Sequence, residues 1–104
     1  MSTNRMRVEA LIASPPTPKC ELILGMLDEA SAAYPETLRV DIYLAGEQPG
    51  MTPTRGYQSS EKLKRVPCVF VNGTALAQGE VPDRNRLMAR IREELDRGPG
   101  NWEP

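Results

Sequence analysis

Pro67 to Val71 form a compact apolar run, Asn72-Gly73 follows, and Thr74 to Ala77 can return as a partner strand. Asn-Gly is preferred where both central residues of a turn need positive φ, the type I′ turn whose twist matches that of paired strands. The segment reads as a β-hairpin, so any fold for this chain must contain an antiparallel pair in its C-terminal half. Pro67 has no amide hydrogen to give to a ladder and marks the opening of the hairpin's first strand.

Upstream, Val8 to Ala13 is an apolar run broken by Glu9 and ended by Ser14-Pro15-Pro16-Thr17-Pro18, which neither a strand nor a helix interior accepts. It reads as a buried strand leading into a sharp loop. Cys20, Ile23, Leu24, Leu27, Ala30 and Tyr34 then fall close to the i, i+3, i+4, i+7 spacing of a helix. Thr17 is the expected N-cap, with Pro18 at N1 and Cys20 at N3. Pro35 predicts an end near Ala33. Leu38, Val40, Ile42 and Leu44 alternate with Arg39, Asp41 and Tyr43, the period of a strand with one buried face.

Ala45 to Gly56 holds three glycines and two prolines and reads as a loop, after which Ser59 or Ser60 is expected to cap a short helix through Glu61 to Lys64. Gly46, Gly50 and Gly56 do not have a phosphate-binding spacing and read as loop punctuation. Asp83 precedes a helix with Leu87, Met88, Ile91 and Leu95 on one stripe and most of its charges outside that stripe, a solvated outer face rather than an anion site. Gly98, Pro99 and Gly100 stop it. A single domain over residues 1–104 is expected, with its core at about 8–96 and a frayed tail over 97–104.

The 13 Lys plus Arg balance 14 Asp plus Glu, giving a formal charge of −1 with both signs interspersed. Such a surface has no long-range field to gather nucleic acid or an anionic membrane, and neither is expected as a partner. Leu22 to Leu27, the strongly apolar stretch, falls far short of the roughly 20 residues that span a bilayer. Met1 to Arg7 carries two arginines but is not followed by an apolar region and cleavage site in signal-peptide order, so a cytoplasmic location is expected.

The chain has no histidine, which excludes Ser-His-Asp and Cys-His catalysis and every His-containing zinc site. Its two cysteines, Cys20 and Cys68, are too far apart in sequence to form a C-x-x-C together, and two thiolates with no third cysteine cannot build a Cys/His-type four-ligand zinc site. No metal and no cofactor are expected.

The predicted order is strand, helix, strand, short helix, two-stranded hairpin, helix, with Cys20 in the first turn of the first helix and Val66-Pro67 opening the hairpin. This resembles the thioredoxin-like fold, and specifically the small thioredoxin-like and glutaredoxin-like proteins of bacteria and archaea, over about Val8 to Leu95. The resemblance implies an α/β domain with a four-stranded mixed sheet flanked by helices (β-α-β-α-β-β-α). It also implies a cis-proline at Pro67, facing the place where the family carries C-x-x-C. The matching positions here are Thr17-Pro18-Lys19-Cys20 and Val66-Pro67-Cys68.

Thr17 stands where the family has its first, nucleophilic cysteine. Dithiol exchange attacks with one thiolate and resolves the mixed disulfide with the other, so ordinary disulfide reduction within one motif is closed to this chain. The expected function is a thiol-dependent redox or thiol-exchange protein centred on Cys20, a thiol-disulfide oxidoreductase lacking the first motif cysteine. Its partner would be a protein or small-molecule thiol or disulfide. Thr17, Val66 and Pro67 would line the substrate site, and Cys68 would be the candidate partner thiol.

The helix N-terminus and Lys19 favour a Cys20 thiolate, while Glu21 and burial oppose it. An inert, packed Cys20 therefore remains open, as does strand alternation sending Cys68 into the core. The competing function is a non-catalytic thioredoxin-like binding module that has lost the dithiol chemistry. The sequence specifies no oligomeric state.

Overall fold

A computed structural model describes residues 6–48, 50–59 and 65–97. Along the described residues the order is β1 (Met6–Ile12), α1 (Pro18–Ala33), β2 (Leu38–Leu44), α2 (Arg55–Ser59), β3 (Cys68–Val71), β4 (Thr74–Gln78) and α3 (Arg84–Arg97). The strands form one mixed sheet in the order β2-β1-β3-β4, with β1 parallel to β2 and antiparallel to β3, and β3 antiparallel to β4. The protein is thus an α/β structure with a four-stranded mixed sheet and three helices among the described residues.

Local chemistry accounts for most boundaries. The Thr17 hydroxyl accepts the Cys20 amide at 3.3 Å and Pro18 follows in the first turn, so α1 starts as a capped helix. The Asp83 carboxylate accepts the Arg86 amide at 3.0 Å and starts α3 in the same way. Asn72 and Gly73 have φ of 47° and 80°, the left-handed backbone that the β3-β4 turn needs. Arg97, expected in the frayed tail, instead closes α3, paired with Glu93 and Glu94 one turn earlier. The rest of that tail, 98–104, lies outside the described residues.

The two faces of the sheet are built differently. Met6, Val8, Ala10, Leu38, Val69 and Val71 meet Ile23, Leu27 and Ala30 of α1 and Leu87 and Ile91 of α3 in one apolar core. At about 1.5–3 kcal/mol for each large aliphatic side chain buried, this face supplies most of the hydrophobic stabilisation. On the other face Cys68 and Phe70 of β3 pack with Tyr43 of β2 and Tyr57 of α2, flanked by Leu11 and Met51. Helices therefore cover both faces, α1 and α3 on one and α2 on the other.

Three expectations are corrected. In β2 the residues read as the outward face, Asp41 and Tyr43, are buried, whereas Leu44 of the supposed buried face is 36% exposed. The cause is the cover that α2 and the preceding segment place on the second face, which alternation within β2 cannot reveal. The short helix begins at Arg55, inside the stretch read as loop, because the Thr54 hydroxyl accepts the Tyr57 amide at 3.2 Å and caps it. The helix expected over Glu61 to Lys64 lies outside the described residues. Gly56, read as loop punctuation, is buried at the start of α2, where a Cβ would overlap the Gly73 carbonyl and lie 2.7 Å from Gly73 Cα.

Candidate functional site

β1 delivers Ala13 to the end of the sheet, the Ser14–Pro16 turn reverses the chain, and α1 starts at once. This brings the first turn of α1 back over the strand's last residues. The Cys20 sulfur accepts the Ala13 amide at 3.4 Å and the Thr17 hydroxyl at 3.2 Å. Thr17 therefore uses one oxygen twice, accepting the Cys20 amide to cap the helix and donating its proton to the Cys20 sulfur.

Burial pushes the Cys20 thiol up, but the Thr17 hydroxyl and the backbone amides directed at the sulfur outweigh it, and the net direction is down from the ordinary thiol value. The arrangement favours a thiolate because each donor contributes more to the anion than to the neutral thiol. Cys20 is nonetheless fully buried, while Thr17, Pro18 and Lys19 are exposed around it.

The Val66–Pro67 peptide bond is cis, as is Ser14–Pro15. Cys68 pairs with Leu11, so Val66 and Pro67 continue past the ladder toward the end of the sheet where Ala13 and α1 begin. Pro67 is buried and its carbonyl accepts the Gly79 amide at 2.6 Å, whereas Val66 is 41% exposed. Thr17, Cys20, Val66 and Pro67 thus belong to one end of the sheet.

Cys68 does not join them on the same face. No disulfide links it to Cys20, and its side chain lies in the aromatic cluster under α2, on the face opposite α1. The β1-β3 register decides this: Val8, Ala10, Val69 and Val71 face α1 and α3, which puts Leu11, Cys68 and Phe70 on the other side.

Four buried charged residues escaped sequence reading, among them Glu94, read on the solvated outer face of α3 but 3% exposed and accepting the Asn72 side-chain amide at 3.2 Å. Arg7, Glu9 and Asp41 are 1%, 0% and 6% exposed on the second face. Arg7 pairs with Asp41 and donates to the Tyr43 hydroxyl at 3.1 Å. Glu9 accepts the Tyr43 hydroxyl at 2.6 Å, the Thr54 amide at 2.9 Å and the Thr54 hydroxyl. Burial and the Glu9 carboxylate together hold the Tyr43 phenol far above its ordinary range. The available signal was charge on both sides of Val8 in an otherwise apolar strand, with Asp41 at the matching parity in β2.

Among the described residues no three His, Cys, Asp or Glu side chains converge as a metal site, and no helix is long and apolar enough to cross a membrane. Comparison with known protein families and with curated proteins returned no match.

Proposed function

We propose that this chain is a thioredoxin-like protein that performs single-thiol exchange at Cys20. The observation that carries the reading is the pair of donors, the Ala13 amide and the Thr17 hydroxyl, directed at one sulfur in the first turn of α1. A sulfur that served packing alone would gain little from two hydrogen bonds, whereas a thiolate gains from both. The order of elements and the mixed sheet support the thioredoxin-like frame. Fold likeness does not assign chemistry, so the sulfur's surroundings carry more weight.

In the proposed step the Cys20 thiolate attacks one sulfur of a protein or small-molecule disulfide. A Cys20–substrate disulfide forms, the substrate S–S bond breaks, and the other substrate sulfur leaves as a thiolate that takes a proton from solvent. Since Thr17 cannot resolve this mixed disulfide, a second external thiol attacks it, takes up the substrate sulfur and returns Cys20 as thiolate. Cys68, on the opposite face of the sheet, takes no part in this step. Exposed Val66, beside buried Pro67, offers the substrate an apolar contact, and the cytosol supplies a thiol pool suited to the second attack.

Full burial of Cys20 favours a second reading, a thioredoxin-like module that binds an extended segment near Thr17 and Val66-Pro67 without chemistry. Thr17→Cys separates the two. The variant restores C-x-x-C, and we expect it to gain insulin-type disulfide reductase activity while the parent chain shows exchange with small disulfides only. Absence of activity from both, with both folded, leaves the binding module.

A further inference from the structure

We propose that Thr54–Ser59 is a lid on the second face of the sheet, latched by Glu9, and that its local opening controls access to Cys68. This goes beyond the chemistry at Cys20, which is on the other face.

The latch is polar and comes from one residue on each side. Both oxygens of the Glu9 carboxylate, fully buried in the central strand β1, are satisfied through Thr54, one by its hydroxyl and the other by its backbone amide. The same hydroxyl accepts the Tyr57 amide, so one side chain both caps α2 and ties it to the sheet. A helix of five residues is too short to hold itself and exists only while docked.

What the lid brings down is an aromatic plug. The Tyr57 ring is 4.7 Å from that of Tyr43 and 5.0 Å from that of Phe70, closing the cluster that contains Cys68. Among the described residues, the cluster's other members are Tyr43, Phe70, Cys68 and Leu11 of the sheet and Met51 on the approach to the lid. Gly56 seats the helix against Gly73 at a distance no side chain would permit, so the closed position is sharply defined. Hydrogen bonds to a buried carboxylate are strong when formed and lose much of their net value to desolvation, which makes a latch specific in geometry and modest in net strength. A short segment docked through a polar latch and an aromatic plug, over a sheet whose main core is on the other side, is a unit able to open without global unfolding.

The test is alkylation of the full chain by iodoacetamide at several urea concentrations below the unfolding transition, with peptide mass mapping to follow Cys68 and Cys20 separately. Local opening exposes little surface, so the Cys68 rate is expected to depend weakly on urea, and Thr54→Val is expected to raise it about tenfold or more by removing the hydroxyl's two hydrogen bonds. Cys20 labelling is expected to be unchanged by Thr54→Val. A Cys68 rate that climbs with urea as steeply as global unfolding overturns the lid in the parent chain alone, even if Thr54→Val does not fold. An unchanged Cys68 rate in a folded Thr54→Val, or equal acceleration of both cysteines, overturns it as well.

Discussion

The Thr17 hydroxyl stands 3.2 Å from the Cys20 sulfur, to which it donates, and 3.3 Å from the Cys20 amide, from which it accepts. One side chain thereby starts α1 and solvates the thiol that the helix carries.

Thr17→Val keeps the shape and removes both bonds. The lost cap is expected to cost about 1 kcal/mol in urea denaturation. The lost donor is expected to raise the pH at which the Cys20 thiolate absorbs near 240 nm. Thr17→Ser, which retains the hydroxyl, should restore both properties.

The Arg7–Asp41 pair is buried on both sides, whereas Arg84–Glu29 joins exposed side chains. Asp41→Ala leaves the Arg7 guanidinium buried with the Tyr43 hydroxyl, a loss expected at about 3–5 kcal/mol by denaturant titration. Glu29→Ala should hardly move the midpoint, because water replaces the lost partner. Equal effects of the two changes would mean that the second face is open to solvent.

Gly56→Ala puts a methyl group into backbone atoms of Gly73, which have no free rotamer to retreat into. We expect a loss of about 1–3 kcal/mol, as for overpacking, accompanied by a changed near-ultraviolet signal from displacement of Tyr57. Gly25, with open space around its Cβ position, serves as the control: Gly25→Ala within α1 should stabilise slightly.

Tyr43 gives an alkaline signature. Its phenol is held protonated in the folded chain by burial and by Glu9, so its folded pKa is above the unfolded value. The corresponding stability is complete below the unfolded pKa of about 10 and is lost as pH rises above it, because the unfolded chain ionises first. Tyr43→Phe should flatten the decline of the denaturation midpoint above that pH while lowering the midpoint near neutrality.

How much of this was legible in the sequence depends on whether the signal was local. Asn72-Gly73, the Thr17-Pro18 start of α1 and the alternation from Leu38 to Leu44 each encode their element within a few residues, and the observed boundaries follow them closely. The sidedness of Cys68 needed the β1-β3 register, which no local pattern carries. The burial of Glu9 was illegible because the Thr54 groups that satisfy it are 45 residues further along the chain, at the start of a five-residue helix with no periodicity to announce it. At the site, the cap motif placed Cys20 at N3, but the Ala13 donor depends on the turn that folds α1 back onto β1.

The most direct measurement is the rate of iodoacetamide labelling of Cys20 in the native chain across mildly acidic to mildly basic pH, read by peptide mass mapping. Since the folded pKa is lowered, the thiolate's contribution to stability is present above the unfolded thiol pKa and is lost as pH falls through the folded value. The labelling midpoint should fall at that same folded value, lower than that of an ordinary thiol, and move up in Thr17→Val. Cys20 that labels only when the chain unfolds, with the same midpoint in both proteins, would contradict thiol exchange at this site.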